Sequence, residues 1–394
     1  MGASLLGGAS TRQRSATSTA RVRNIRRGEP SSMAMNADHG ISPTDLLLHV
    51  AGATARDGER LLARFGASID WRSRSTDEWM AAGLAPRLTQ RLKCLLAGPE
   101  PEREAERCER DGVLLVSWRH ADYPAALRVL HRPPVLLSVR GRWPPPSPAL
   151  AMVGARAATA YGRSAACRLA GATARAGVGL VSGLARGIDR FAMEAALDAG
   201  GHVVAVLGNG LRIAHPRENR ALQDRIAQEG TLISEFPLLQ RPDRWTFPRR
   251  NRIIAALSVA VLVVEAGRRS GALITAAHGL ELGLEVWAVP GPIDSPTSEG
   301  ANRLLRDGAA PVLDEQGLLR LLLGESAAQG NANASTRDPD PLLAVLGQRT
   351  LTGDQLAAEL DQSIGKLRAR LMALELEGRV AGLPGDRWTA RGRG

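Results

Sequence analysis

Arginine is the residue type best placed to do chemistry in this chain. The segment Phe247-Pro248-Arg249-Arg250-Asn251-Arg252 gathers guanidinium groups within one short stretch. Its proline sits where a helix begins. Cations at a helix N-terminus oppose the helix dipole, and a local conflict of that kind is characteristic of functional sites. A bound phosphate relieves it, because the planar guanidinium fork matches phosphate oxygens. The competing reading is a charged run whose arginines pair with nearby carboxylates. On the phosphate reading, removing Arg249 and Arg252 together weakens binding and leaves the melting temperature nearly unchanged.

A row of small-residue loops supports the same chemistry. Apolar runs at Ala149–Val153, Gly179–Val181, His202–Leu207, Val259–Val264 and Glu285–Val289 are each followed by Gly with Ser, Asn, Arg or Pro. These loops carry Gly154-Ala155-Arg156, Ser182-Gly183-Leu184-Ala185-Arg186-Gly187, Gly208-Asn209-Gly210, Gly267-Arg268-Arg269-Ser270-Gly271 and Pro290-Gly291. Glycine lets backbone approach a phosphate, and helix N-termini offer unpaired N–H donors. One such loop is ordinary strand-to-helix grammar; the set on one sheet edge indicates an anion site. His215, Phe247, Trp245 and Phe236 are the nearby rings on which bases could stack, although each is equally compatible with a structural role.

The elements that must position these loops follow from hydrophobic rhythm. The runs above, with Thr231–Ile233, alternate with amphipathic helical patterns near 161–176, 188–199, 217–229, 249–257 and 271–282. That alternation predicts a parallel sheet covered on both faces. Upstream, residues 41–110 carry short helical patterns at Leu46–Val50, Arg60–Phe65, Glu78–Ala82 and Leu88–Leu96. Residues 111–144 add strands at Val113–Val116 and Val135–Val139 before a proline-rich lead-in. Residues 325–340 are small and polar and predict a linker. Helical patterns at Pro341–Leu346, Thr352–Leu360 and Ile364–Glu377, then a hairpin over 380–389, describe a winged helix.

Composition bounds the function. Of 394 residues, 44% are hydrophobic and the net charge is +11. Residues 1–40 carry six arginines against Glu29 and Asp38 and predict a disordered basic tail; the body stays basic without it. A basic body favours a polyanionic partner. Lys93 and Lys366 are the only lysines, and neither completes a Walker A loop, which excludes that class of ATPase. Cys94, Cys108 and Cys167 lack metal or redox spacing, which fits a reducing cytoplasmic setting. No apolar run is long enough to span a bilayer. No cofactor or metal is expected.

These motifs together resemble the DprA/Smf family of bacterial DNA-processing proteins. The matching stretches are Gly154-Ala-Arg156, Tyr161-Gly162, Val181-Ser-Gly-Leu-Ala-Arg-Gly-Ile-Asp189 and Ala205-Val-Leu-Gly-Asn-Gly-Leu211. They continue through Pro216-Arg-Glu-Asn219, Ser234-Glu235, Phe247-Pro-Arg-Arg-Asn-Arg-Ile-Ile254, Val264-Glu-Ala266, Ser270-Gly-Ala-Leu-Ile-Thr-Ala276 and Ala288-Val-Pro-Gly291. Ala155, Met193, His215 and Val259 depart from the pattern, where Ser, His, Tyr and Asp are usual. The resemblance implies a SAM-like helical domain (41–110), a Rossmann-like α/β core with a mostly parallel sheet (111–324), the linker (325–340) and a winged helix (341–394). It implies a homodimer that binds single-stranded DNA without covalent chemistry. It also implies protection of incoming DNA and its delivery to the RecA recombinase during natural transformation. The DNA-binding set expected from loops and motifs is Arg156, Ser182, Gly183, Arg186, Asn209, His215, Phe247, Arg249, Arg250, Asn251, Arg252, Ser270 and Gly271.

Other readings are weaker. An enzyme related to the LOG phosphoribohydrolases would carry a glutamate where His278 stands, leaving Asp189 and Glu265 as remaining acids. A dinucleotide oxidoreductase needs a third glycine after Gly208-Asn209-Gly210, where Arg212 stands near instead. A duplex-binding regulator would use the last helix, but Glu375 and Glu377 offset Lys366, Arg368 and Arg370 there.

Overall fold

A computed structural model describes residues 41–66, 71–324, 341–346, 349–376 and 379–390. The expected tail (1–40) and linker (325–340) lie outside the described residues.

The short apolar runs become strands because they can be buried on both faces. The strands are β1 (Leu114–Ser117), β2 (Leu136–Gly141), β3 (Ala149–Val153), β4 (Gly179–Ser182), β5 (Val203–Leu207), β6 (Thr231–Ser234), β7 (Ala260–Val263), β8 (Glu285–Ala288) and β9 (Ala310–Pro311). Every residue of β3 through β7 is buried, as a sheet covered on both sides requires. They form one sheet in the order β1-β2-β6-β5-β4-β3-β7-β8-β9. The strands from β6 to β9 run parallel, while β2 joins β6 antiparallel and β1 extends that edge. The chain winds outward from β3 to β6, then returns to the other side of β3 with β7. Strand order therefore reverses between β3 and β7.

Period-two alternation divides the core into two layers. Leu150, Met152, Leu180, Ala205 and Leu262 face one side, and Ala151, Val153, Val181, Val204, Val206, Val261 and Val263 the other. Helices α7 (Ala160–Arg175) and α8 (Ile188–Asp198) pack on the first layer through Ala166, Ala170, Ala192 and Ala196. The small side chains let the two helices approach closely. Helices α10 (Thr246–Ala256) and α11 (Ala272–Glu281) cover the second with Ile253, Ile254, Ala272 and Ala276. Helix α9 (Arg220–Glu229) inserts Leu222 and Ile226 into the first layer.

The N-terminal helices are α1 (Pro43–Ala51), α2 (Ala55–Phe65), α3 (Thr76–Ala81), α4 (Pro86–Leu96) and α5 (Glu100–Arg110), and the short α6 (Ala125–Arg128) follows β1. Capping boxes start α1 from Ser42 with Asp45, α2 from Thr54 with Asp57, and α3 from Ser75 with Glu78. Their apolar residues, among them Leu48, Leu61, Trp79, Leu92 and Cys108, are continuous with the first layer of the sheet core. The boundary near residue 110 is thus one of secondary structure and not of packing. Helix α5 was not anticipated from the sequence, because Pro101 and Cys108 are its only buried apolar residues. Its Glu104 is also buried, accepting from the Leu238 N–H at 2.6 Å and pairing with Arg107 at 3.2 Å. Helices α12 (Glu299–Arg306) and α13 (Glu315–Leu323) are likewise additions to the expected set.

The C-terminal unit is the expected winged helix. Helices α14 (Pro341–Leu346), α15 (Gly353–Leu360) and α16 (Ile364–Leu376) pack with strands β10 (Thr350–Thr352), β11 (Val380–Leu383) and β12 (Arg387–Ala390). Its leucine core is separate from both sheet layers. Leu371 is fully buried there. Leu371→Ala is expected to destabilise this unit by about 2–5 kcal/mol while leaving the unfolding transition of the sheet core in place, as read by denaturant titration.

Candidate nucleic-acid interface

A cleft of about 350 Å³ opens over the carboxyl ends of β3, β4 and β5. It is lined from the loop after β3 (Arg156, Ala157), the loop after β4 (Gly183 to Arg186), the end of β5 and its loop (Leu207 to Asn209, His215, Pro216), and α10 (Phe247, Arg250). The cleft lies to one side of the point where strand order reverses; the loop after β7 does not reach it.

The loop after β4 is shaped by a buried carboxylate. Asp189 stands in the first turn of α8, and its Oδ2 accepts from the N–H groups of Gly183 (3.1 Å) and Ala185 (3.4 Å). Burial pushes the Asp189 pKa up, against the opposing pull of the Arg250 charge and of backbone N–H donors. From the other side the Asn219 amide donates to the Leu184 and Ala185 carbonyls at 3.0 and 3.1 Å. Between these clamps Leu184 adopts φ +53° with its side chain fully buried. That left-handed conformation costs a non-glycine residue about 1–3 kcal/mol and persists only where surroundings impose it.

Arg250 lies beneath this loop. Only 5% of it is exposed, and its Nη1 donates to the carbonyls of Gly183, at 2.6 Å, and Val206. Its Nε donates to the Asn251 side-chain oxygen at 3.2 Å. Burial lowers its pKa to about 10, against the raising effect of Asp189, so it stays cationic at neutral pH. Gly183 is glycine for this reason, since a Cβ there would lie 2.6 Å from the Arg250 Cζ. Gly208 has a similar role, with a Cβ falling 2.7 Å from Cδ1 of Phe247.

The walls combine cations with rings. The exposed Arg156 guanidinium lies 5.3 Å from the Phe247 ring centre, and no carboxylate pairs with it among the described residues. On the same ring His215 sits 5.5 Å away at 34°. Partial burial, then the charges of Arg156 and Arg186, lowers the His215 pKa. Arg186 is 63% exposed and ion-paired with Glu218. No carboxylate lines the cleft among the described residues. Cations beside stackable rings, only Arg186 of them paired with a carboxylate and that one exposed, suit a phosphodiester strand.

The structure brings together Arg156, Gly183, Arg186, Asn209, His215, Phe247 and Arg250. It places the other expected residues elsewhere. Ser182 is buried and donates to the Met152 carbonyl at 2.6 Å. Arg249 and Arg252 converge on Glu235, at 2.8 and 2.6 Å, and the glutamate side chain is fully buried. The conflict at the α10 N-terminus is therefore resolved internally, by a carboxylate and backbone carbonyls, and not by an open phosphate site. Asn251 donates to the Gly271 carbonyl at 3.2 Å, and Ser270 accepts from the Ala272 N–H at 3.3 Å. Both hold the start of α11. Asn209 lines the cleft, but its amide is spent on the Gly210 and Ile213 carbonyls. Leu184, Ala185, Gly208 and Pro216 of the same loops also line the cleft, and their apolar or small side chains carry no sequence signal for it. The acids considered for catalysis are also committed. Asp189 holds the β4 loop, while Glu265 accepts from the Thr159 N–H at 3.0 Å and the Thr297 hydroxyl at 2.7 Å.

The expectation that Arg249 and Arg252 can be removed without loss of stability is corrected accordingly. Glu235→Ala leaves two guanidinium groups without their counter-charge, one of them in Arg252, which is 8% exposed. A loss of about 3–5 kcal/mol is expected, measured by denaturant unfolding. Within 1 kcal/mol of wild type, the pairing would not be structural.

The model of the family DNA recombination-mediator protein A matches residues 114–322, and the DprA winged helix domain matches 326–386. Protein Smf of Escherichia coli (strain K12) is 41% identical over 275 residues, covering 67% of this chain and 71% of its own. The putative DNA processing protein DprA of Mycobacterium tuberculosis is 52% identical over 161 residues, 41% of each chain. The X-ray structure of DprA from Streptococcus pneumoniae aligns with TM-score 0.62 and 31% identity, covering 72% of this chain and 99% of that one. The chain belongs to the DprA/Smf family of DNA-processing proteins.

Proposed function

We propose that this chain binds single-stranded DNA in the cleft over β3–β5, shields it, and passes it to the RecA recombinase, without itself making or breaking covalent bonds. The observation that carries the reading is the wall of Arg156, Phe247 and His215 standing above the buried charge of Arg250. Unpaired bases can enter between rings and guanidinium planes, whereas a duplex keeps its bases stacked inside. The cleft is at the small end of the range for ligand sites, about 300–1,000 Å³, which fits a nucleotide and not a folded partner. The recombinase role is supported by the family's description as a recombination mediator. Natural transformation as the setting, and a homodimer as the working form, follow from the family reading.

The cleft's lack of a carboxylate favours binding over glycosidic cleavage, which needs an acid near the leaving group. No helix among the described residues is long and apolar enough to cross a membrane.

The test is a titration of the purified chain with single-stranded DNA, duplex DNA and free nucleotides. Single strands are expected to bind tightest, with affinity falling by about 0.7 logarithmic units per tenfold rise in salt for each neutralised phosphate. Equal affinity for duplex, or flat salt dependence, would contradict the proposal. Phe247→Ala is expected to cost about 1–3 kcal/mol of affinity for the base stacked there.

The imidazole adds a pH signature. Its pKa in the free protein lies below the ordinary value, and a phosphate beside it would raise that pKa in the complex. The affinity gain is then full below the free-state pKa and disappears as pH rises through the bound-state pKa. His215→Phe should keep the ring and remove this pH dependence, measured by anisotropy between acid and neutral pH. An unchanged pH profile in that variant would exclude the imidazole as its source.

A further inference from the structure

The loop that walls the first cleft has a second side. Asn209, His215 and Pro216 face the first cleft, while Leu211, Arg212 and Ala214 of the same loop line another of about 370 Å³. This second cleft lies between the N-terminal helices and the sheet. Arg110 and Asp111 enter it from the end of α5, Arg140 from β2, and Arg220, Gln223 and Asp224 from α9.

Its charges are not all spoken for. Arg212 pairs with Asp111 at 3.2 Å, and Arg220 reaches Asp224 at 4.0 Å. Arg110 and Arg140 are exposed and have no ion pair among the described residues. The cleft thus keeps two free guanidinium groups beyond its internal neutralisation. Gln223 is only 6% exposed, and its Nε2 donates to the Leu211 carbonyl at 3.0 Å. Its Oε1 is buried with no hydrogen-bond partner. A buried acceptor left unsatisfied is costly and calls for a donor.

We propose that the second cleft continues the single-strand path, taking nucleotides that leave the first cleft across residues 211–216. Arg110 and Arg140 bind phosphates, and the Gln223 Oε1 accepts from a base N–H. The proposal rests on the single-strand reading of the first cleft. A nucleic acid is favoured over an acidic peptide because the two clefts share one loop, so a strand held in the first is led to the second; a base-edge donor such as thymine N3–H would then meet the unsatisfied acceptor.

The test uses the full chain and fluorescent oligothymidylates of about six and about twenty nucleotides, chosen to bracket the length that one groove covers. Arg110→Ala with Arg140→Ala breaks no ion pair, so the melting temperature should hold. This double variant is expected to bind the long strand at least about tenfold more weakly, with a salt slope reduced by about 1.4 for two phosphates. Its affinity for the short strand should stay at the wild-type value. Wild-type affinity and slope for the long strand, or equal loss for both lengths, would overturn the proposal. So would polyglutamate displacing the long strand as effectively as unlabelled oligothymidylate, since that marks an unselective anion patch. Arg156→Ala separates the two readings, because it should weaken both lengths. If it moves neither, the first cleft fails as a site, whatever the double variant shows.

Discussion

The fold of the cleft depends on one buried guanidinium. Arg250 reaches from α10 under the loop after β4 and bonds to carbonyls of both that loop and β5. Two neighbouring strand ends are thereby tied to a helix that begins elsewhere in the sequence. The constraint dictates much of its surroundings. Gly183 must lack a side chain, Asp189 supplies an opposing charge nearby, and Leu184 is held in a left-handed conformation above. A cation in this position is hard to lose by titration, because its pKa remains near 10 even after burial. It gives the cleft a fixed positive floor whose orientation needs no rearrangement when a ligand arrives.

The arginines around it divide into two kinds. Arg249, Arg250 and Arg252 come from one stretch of α10 and are bound to protein groups. Arg156 and Arg186 come from loops, are exposed and border open space. The first kind sets geometry, and the second is available to a phosphate. Arg186 shows how the second kind is kept ready, since its Glu218 partner is itself exposed and screened by solvent. Exchanging such a partner for a phosphate costs little. Exchanging the buried Glu235 would cost a great deal.

Much of this was legible from sequence. The alternation of short apolar runs with helical patterns gave the parallel sheet, because strands buried on both faces cannot hide their composition. The positions of Gly154, Gly183 and Gly208 after strands pointed to the edge where the first cleft opens. The local pattern could not reveal long-range pairing. Nothing in Phe247-Pro-Arg-Arg-Asn-Arg252 shows that Glu235 will return as a buried partner, so a structural ion-pair cluster resembled a ligand site. Ser182, Ser270 and Gly271 were misplaced for a related reason. They share motif and edge with the cleft, but their hydrogen bonds stabilise strand and helix ends. Helix α5 has no hydrophobic period because its buried face includes a glutamate, and a polar group satisfied across 134 positions leaves no periodic trace.

The division between structural and ligand-facing arginines is the central claim, and one parallel measurement tests it directly. Thermal melting and oligothymidylate affinity are recorded together for two double variants, Arg156→Ala with Arg186→Ala, and Arg249→Ala with Arg252→Ala. The account predicts that the first pair keeps its melting temperature and loses most of its affinity, while the second melts several degrees lower. A first pair that binds normally, or a second pair that melts like wild type yet no longer binds, would contradict it.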